Sequence, residues 1–142
     1  MIESIIHNEI MFAFIIRSSY HADGVKFFTP ENYSQQLAYM SHKAGHQIDA
    51  HVHNQVNRQV EFTQEVLVIR RGKLRVDFYS RNQEYLESRE LEAGDIILLA
   101  SGGHGFEVIE DLEMLEIKQG PYAGTGDKTK FSSVKKGEII IK

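Results

Sequence analysis

Seven histidines and no cysteine set the chemistry open to this chain. Without thiols there is no disulfide framework, no thiolate zinc site and no Cys nucleophile, so any metal chemistry rests on imidazole and carboxylate. In Gln47-Ile48-Asp49-Ala50-His51-Val52-His53 the residues alternate, which predicts a strand with Asp49, His51 and His53 on one face and Ile48, Ala50 and Val52 on the other. Two imidazoles two residues apart on one strand face can ligate a single cation, but a Zn, Fe, Mn or Ni site needs one or two further protein donors. Glu65 opens the apolar run Glu65-Val66-Leu67-Val68-Ile69, where a carboxylate needs a partner because an unpaired buried charge is costly. His104 sits in Ser101-Gly102-Gly103-His104-Gly105, a glycine-rich turn that lets backbone and side chain approach a site closely. A lone histidine is ordinarily a surface or hydrogen-bonded core residue. An HxH pair with a strand-initial Glu and a Gly-flanked His downstream favours a divalent metal centre instead. Asp49 is placed to accept an imidazole N–H and is the candidate catalytic base, whereas His46 falls on the opposite face.

The elements that must carry these residues read as short strands. Apolar and β-branched runs occupy 10–17, 24–29, 36–42, 47–53, 62–70, 73–79, 84–91, 95–100, 106–109, 112–118 and 138–141. Turn residues separate them, among them Lys43-Ala44-Gly45, Arg71-Gly72, Arg81-Asn82-Gln83, Glu92-Ala93-Gly94 and Glu110-Asp111. Leu74-Arg75-Val76-Asp77-Phe78 alternates cleanly, the signature of a strand with one buried face. The best helical candidate, 30–37, is one or two turns long. Many strands at about ten-residue spacing with few helices predict an antiparallel sandwich or barrel. Residues 120–130 read as a polar, Gly-rich loop.

Composition sets the outer bounds. The 142 residues are 42% hydrophobic and 25% charged, and carry a formal charge of −4. That length predicts one domain, residues 1–142, with a core of its own. Mild acidity argues against a nucleic-acid or anionic-membrane partner, which needs a concentrated basic face. No apolar run approaches the ~18 residues of a membrane span, and no secretory signal pattern is visible, so the expected location is cytoplasmic.

The spacing of the candidate residues resembles that of the cupin superfamily, whose first motif runs Gly, five residues, His-x-His, a short gap, Glu, six residues, Gly. Here Gly45 precedes His51-Val52-His53 by five residues, and Glu65 precedes Gly72 by six. The second motif runs Gly, five residues, Pro-x-Gly, then His; here Gly94 leads to Ala100-Ser101-Gly102 and then His104. The resemblance covers 45–118, with 1–44 and 119–142 as flanking segments. It implies an all-β fold, the double-stranded β-helix or jelly-roll barrel. It also implies His51, His53, Glu65 and His104 as ligands of one divalent metal ion. The chain departs from the pattern in the eleven residues between His53 and Glu65, in Ala100 for Pro, and in Val108 where Asn is common. The long gap makes Glu61 the alternative carboxylate ligand. The polar part of the 54–64 insertion is a candidate lid at the barrel mouth, where Arg58 would meet an anionic ligand.

A second resemblance bears on substrate. Glu113-Met114-Leu115-Glu116-Ile117-Lys118-Gln119-Gly120-Pro121-Tyr122, with Asp127 and Lys130-Phe131, is similar to the closing segment of the cupin domain of type II mannose-6-phosphate isomerases. It implies a small sugar-like ligand: a sugar, sugar phosphate or nucleotide sugar. The activity it implies is of the isomerase or epimerase type, in polysaccharide biosynthesis. Two other classes fit the same residues: a metal-dependent dioxygenase and a non-catalytic metal- or carbohydrate-binding module. The apolar early strands, 10–17 and Phe27-Phe28, predict a homodimer.

Overall fold

A computed structural model describes residues 1–142. Eight strands form: β1 (Ile2–His7), β2 (Ile10–Ile16), β3 (Gly24–Phe27), β4 (Ala38–Ser41), β5 (Glu65–Tyr79), β6 (Tyr85–Glu92), β7 (Ile96–Leu99) and β8 (Gly103–Lys118). Two single 3-10 turns, Gly124–Asp127 and Lys136–Glu138, are the only helical elements. The short helix expected at 30–37 is absent; a single turn closed by the Tyr33 N–H on the Pro30 carbonyl stands there instead. The fold is all-β, as the strand spacing predicts. Six strands make one curled antiparallel half-barrel sheet in the order β1-β2-β7-β5-β6, with β8 paired to β5, while β3 and β4 form a separate hairpin.

Two long strands give the sheet its curl. The sequence suggests breaks at Arg71-Gly72 and Glu110-Asp111, yet the chain runs through both as continuous strand, and β5 and β8 pair over their whole lengths. The break residues bend the strands instead. The register slips between Ile69 and Leu74, where Gly72 has φ +82° and its α-carbon lies against the facing strand; a Cβ there would be 2.0 Å from the Asp111 carbonyl oxygen. A left-handed glycine at a bulge lets two backbones touch and turns the ladder. Before the bend β5 pairs with β7, and after it with β6.

Alternation sorts the side chains to two faces. The main core holds Ile5, Phe12, Ala13, Ile15, Leu67, Ile69, Leu74, Val76, Phe78, Leu91, Ile97 and Leu99, all buried. A smaller cluster of Phe14, Val66 and Leu98 on the other face is covered by Tyr33 and Leu37. Most of the apolar strand 10–17 is covered within the chain: Phe12 through Ile16 are buried and β2 lies between β1 and β7, while Ile10 is exposed. β1 went unpredicted because its turn carries no glycine; Asn8 and Glu9 supply the positive φ (49° and 64°) that the tight hairpin needs.

Arg75 and Asp77, which alternate with the core residues of β5, are buried as well. The Arg75 guanidinium donates two hydrogen bonds to Asp77, at 2.8 and 3.0 Å, and also pairs with Glu107. Ser88 donates to the same Asp77 carboxylate. The predicted strand at 138–141 is reduced to one parallel bridge from Ile141 to Ser88, beside which Lys142 reaches Glu87.

Candidate active site

Glu65 and His104, distant in sequence, meet in space. Glu65 is the first residue of β5 and pairs across to Leu99 of β7. The tight turn after β7 then returns the chain so that His104, near the start of β8, faces it with Nε2 3.2 Å from Oε2. Local structure holds both ends of this contact. The Gln64 N–H donates to the Gln119 side chain at 2.8 Å, fixing the entry to β5. Ser101 Oγ donates to the Met11 carbonyl at 2.7 Å, and the Ala100 N–H donates to the Phe12 carbonyl, fixing the turn. Gly102 (φ +74°) lies against the Phe12 ring, where a Cβ would sit 2.3 Å from a ring carbon. The glycine-rich turn thus serves the close approach expected of it.

The electrostatics of the pair are asymmetric. The facing His104 imidazole holds the Glu65 carboxyl below its ordinary value of 4.5, assisted by the Lys118 and Lys128 charges and opposed by partial desolvation. Glu65 is consequently a carboxylate at neutral pH, with Lys118 Nζ 3.9 Å away on its other oxygen. Lys118 itself leans on Glu116, at 2.7 Å.

The pair opens into a cleft of about 620 Å³, within the ~300–1,000 Å³ usual for small-ligand sites. Its wall is polar, built from Thr63, Ser80, Ser101, Thr129, Arg81, Lys128 and Lys130 as well as Glu61 and Asp127; Phe62 and Phe131 are its two hydrophobic residues. Asp127 and Lys130-Phe131 figure in the sequence only through the resemblance bearing on substrate, and Lys128 and Thr129 fall within the 120–130 stretch that reads as a loop. Lys128-Thr129-Lys130-Phe131 is a signal in hindsight: two lysines on alternate positions, followed by an aromatic anchor. Phe131 packs edge-on against Tyr79 at 5.0 Å between centroids, and the Val134 N–H donates to the Tyr79 hydroxyl at 2.9 Å, holding this segment against the sheet.

The other sequence candidates lie elsewhere. The predicted strand 47–53 is not a strand: residues 46–60 are exposed, with no regular pairing. A strand requires a neighbour for its N–H and C=O groups, and the polar run Asn54–Gln59 supplies no turn that would fold 47–53 back onto one. His51 and His53 are nonetheless adjacent, their rings 5.3 Å apart and nearly perpendicular. His51 Nδ1 is 2.8 Å from the Asp49 carbonyl oxygen, a backbone contact rather than one with the Asp49 carboxylate. The Nδ1–H tautomer donates there and leaves Nε2 free as a ligand atom. Asp49 is exposed on the same segment and does not line the cleft, and Arg58 is exposed too. Glu61 lines the cleft, but Glu65 is the carboxylate that meets His104.

The four proposed metal ligands thus stand as two pairs, Glu65 with His104 and His51 with His53. No three His, Asp or Glu side chains are gathered in a metal-ligating group, so this arrangement does not by itself fit a four-donor ion. What the cleft can do as folded is proton chemistry on a polar ligand: a carboxylate base, an imidazole beside it and a wall of hydroxyl and cationic groups. No helix is long and apolar enough to cross a membrane. No family model, no curated protein and no solved structure matches the chain.

Proposed function

We propose that the protein is a cupin-type jelly roll that binds a small sugar-like molecule in the Glu65–His104 cleft and moves a proton on it, as an aldose–ketose isomerase or epimerase does. The 3.2 Å contact between these two residues inside a polar cleft carries the reading. Glu65, held ionised, takes the proton from the hydroxyl-bearing carbon next to the carbonyl of the open-chain sugar, the C–H electron pair passes into an enediolate, and the proton returns from Glu65 to the former carbonyl carbon, while His104 orients the carboxylate through its Nε2. The serine and threonine hydroxyls of the wall suit a polyol. The spacing of Gly45, His51, His53, Glu65, Gly72 and His104 and the curled antiparallel sheet support the jelly-roll assignment. The same reading has the protein cytoplasmic and dimeric, with exposed Ile2, Ile6, Ile10, Phe27 and Met40 available to a second copy.

Proton exchange tests it. In D2O, wild type is expected to place solvent deuterium on the carbon next to the carbonyl of an aldose, a ketose or a keto nucleotide sugar, read by proton NMR. Glu65→Gln is expected to abolish the exchange. Thermal stabilisation by a sugar without any exchange would make the protein a binding module. No exchange and no stabilisation across the panel would sink the proposal.

A second reading has a specific observation behind it: two of the four donors that the cupin pattern names do meet. Joining them to His51 and His53 around Zn, Fe, Mn or Ni would require residues 47–53 to move onto the cleft. Zinc titration followed by calorimetry, on wild type, His51→Ala and His104→Ala, decides it. Binding weakened in both variants supports one shared centre; equal binding in all three removes it. With iron, oxygen uptake in the presence of substrate separates the dioxygenase from the isomerase.

A further inference from the structure

We propose that residues 42–53 bind a late divalent transition ion, Cu(II) most tightly, on His42, His46, His51 and His53, apart from the Glu65–His104 cleft. Four of the seven histidines fall within these twelve residues. The two histidines packed against the sheet are engaged: His7 faces Glu87 and His104 faces Glu65, each at 3.2 Å. The four of the segment are exposed, and none of them meets a carboxylate. Imidazole donors without carboxylate suit Cu, Ni or Zn rather than Mg or Ca, and Cu(II) heads the order of affinity among these.

The four come as two pairs, each at a spacing that one ion spans. The His42 and His46 rings are stacked at 4.1 Å between centroids and 9° between planes; those of His51 and His53 stand at 5.3 Å and 82°. A nitrogen about 2.0 Å from a metal puts its ring centroid about 3.2 Å away, so two rings on one ion lie about 4.5 Å apart at a right angle and about 5.2 Å apart at the tetrahedral angle. His51 and His53 match the wider figure. His42 and His46 lie near the narrower one and need one ring turned about its Cβ–Cγ bond, which their exposure permits. Backbone structure sets both pairs. His42 follows β4 directly, and the turn after it closes with the His46 N–H on the Lys43 carbonyl at 3.1 Å and with Gly45 at φ +87°. In the second pair the Asp49 carbonyl takes the His51 Nδ1–H and leaves Nε2 to the ion. The pairs are not gathered into one group as folded. Gln47 to Ala50 link them, so the His46 and His51 α-carbons are at most about 18 Å apart. No strand pairing fixes 46–60, and closing so short a loop costs little entropy. Joining His51 and His53 to the cleft would instead break the Glu65–His104 contact.

Cu(II) titration of the full chain by calorimetry, with electron paramagnetic resonance to count bound nitrogens, tests the site. Wild type is expected to take one equivalent with a four-nitrogen signal, and to bind Zn(II) at the same stoichiometry but more weakly. His42→Ala with His46→Ala, and His51→Ala with His53→Ala, are each expected to weaken Cu(II) by about tenfold or more and to halve the nitrogen count. All four side chains are exposed, so both double variants are expected to keep the wild-type circular dichroism spectrum. His104→Ala and a His21→Ala control are expected to leave the affinity unchanged. Binding that survives loss of the first pair overturns the site, and if His104→Ala weakens that binding the ion belongs to the cleft. Two equivalents, one on each pair, overturn the shared site. A loss with His21→Ala as large as with either pair marks adventitious surface binding and overturns it too. None of these readouts depends on proton exchange into a sugar, so the site and the isomerase stand or fall separately.

Discussion

At the scale of single residues, Glu65 is the side chain whose environment does most. Its carboxyl is held below the ordinary 4.5, chiefly by His104. A group with a depressed folded-state pKa adds stability above its unfolded value and loses it as pH falls through the folded value. Glu65→Gln is therefore expected to narrow the stability difference between neutral and acidic pH. Wild type and variant should converge as pH falls from 4.5 through the lower folded-state value, read as urea midpoints across a pH series. Asp77 makes a different case. It holds a buried guanidinium on the outer side of β5, so Asp77→Ala strands Arg75 with Glu107 alone. A loss of about 3 kcal/mol is expected from chemical denaturation, while deuterium exchange into the sugar substrate is retained because neither residue lines the cleft. These two carboxylates were unequally legible. Glu65 stands out in sequence because a charge begins an apolar run; Asp77 reads as an ordinary solvent-facing position until the opposite face is seen to be covered.

At the scale of elements, glycine punctuation carried more than one meaning. Glu92-Ala93-Gly94 is a turn, with the Asp95 N–H closing on the Glu92 carbonyl at 3.0 Å. Arg71-Gly72 uses the same residue types for a bend inside a strand. The difference lies in the partner: β8 runs alongside and continues the ladder past Gly72, which local sequence does not encode. Gly72→Ala combines an unfavourable φ with a clash against backbone that cannot rotate away. The expected cost is about 2 kcal/mol or more, measured by thermal or urea unfolding. The segment 47–53 shows the converse failure. Its alternation is as regular as that of 74–78, but no neighbouring strand pairs with it. The turn at 101–105, by contrast, was readable in kind, since a Gly-Gly flank around a histidine announces a close approach.

At the scale of the whole molecule, the half-barrel leaves one long edge. β8 pairs only with β5, so its outer edge runs unpaired for 16 residues with Phe106, Val108, Ile109, Leu115 and Ile117 partly exposed. An edge of this length is a template for pairing with other chains unless charge guards it. Glu110, Asp111, Glu113 and Glu116 stand along it. Neutralising Glu110, Asp111 and Glu113 together, as Gln, Asn and Gln, is expected to bring concentration-dependent association, visible by light scattering, where wild type shows less. The acidic excess noted in the composition is thus partly concentrated on one edge.

Composition and periodicity alone determined an all-β chain without thiol chemistry, and local context alone singled out Glu65 and His104, because alternation, turn residues and misplaced charges are properties of neighbours in sequence. Tertiary structure decided that β5 and β8 are single bent strands, that Arg75 and Asp77 are buried, and that Lys128 and Lys130 share a cleft with Glu65. It also decided that His51 and His53 stand apart from that cleft. Each of these depends on which strand pairs with which. Pairing across a sheet joins residues tens of positions apart through backbone groups common to every residue, so the side-chain sequence marks it only weakly.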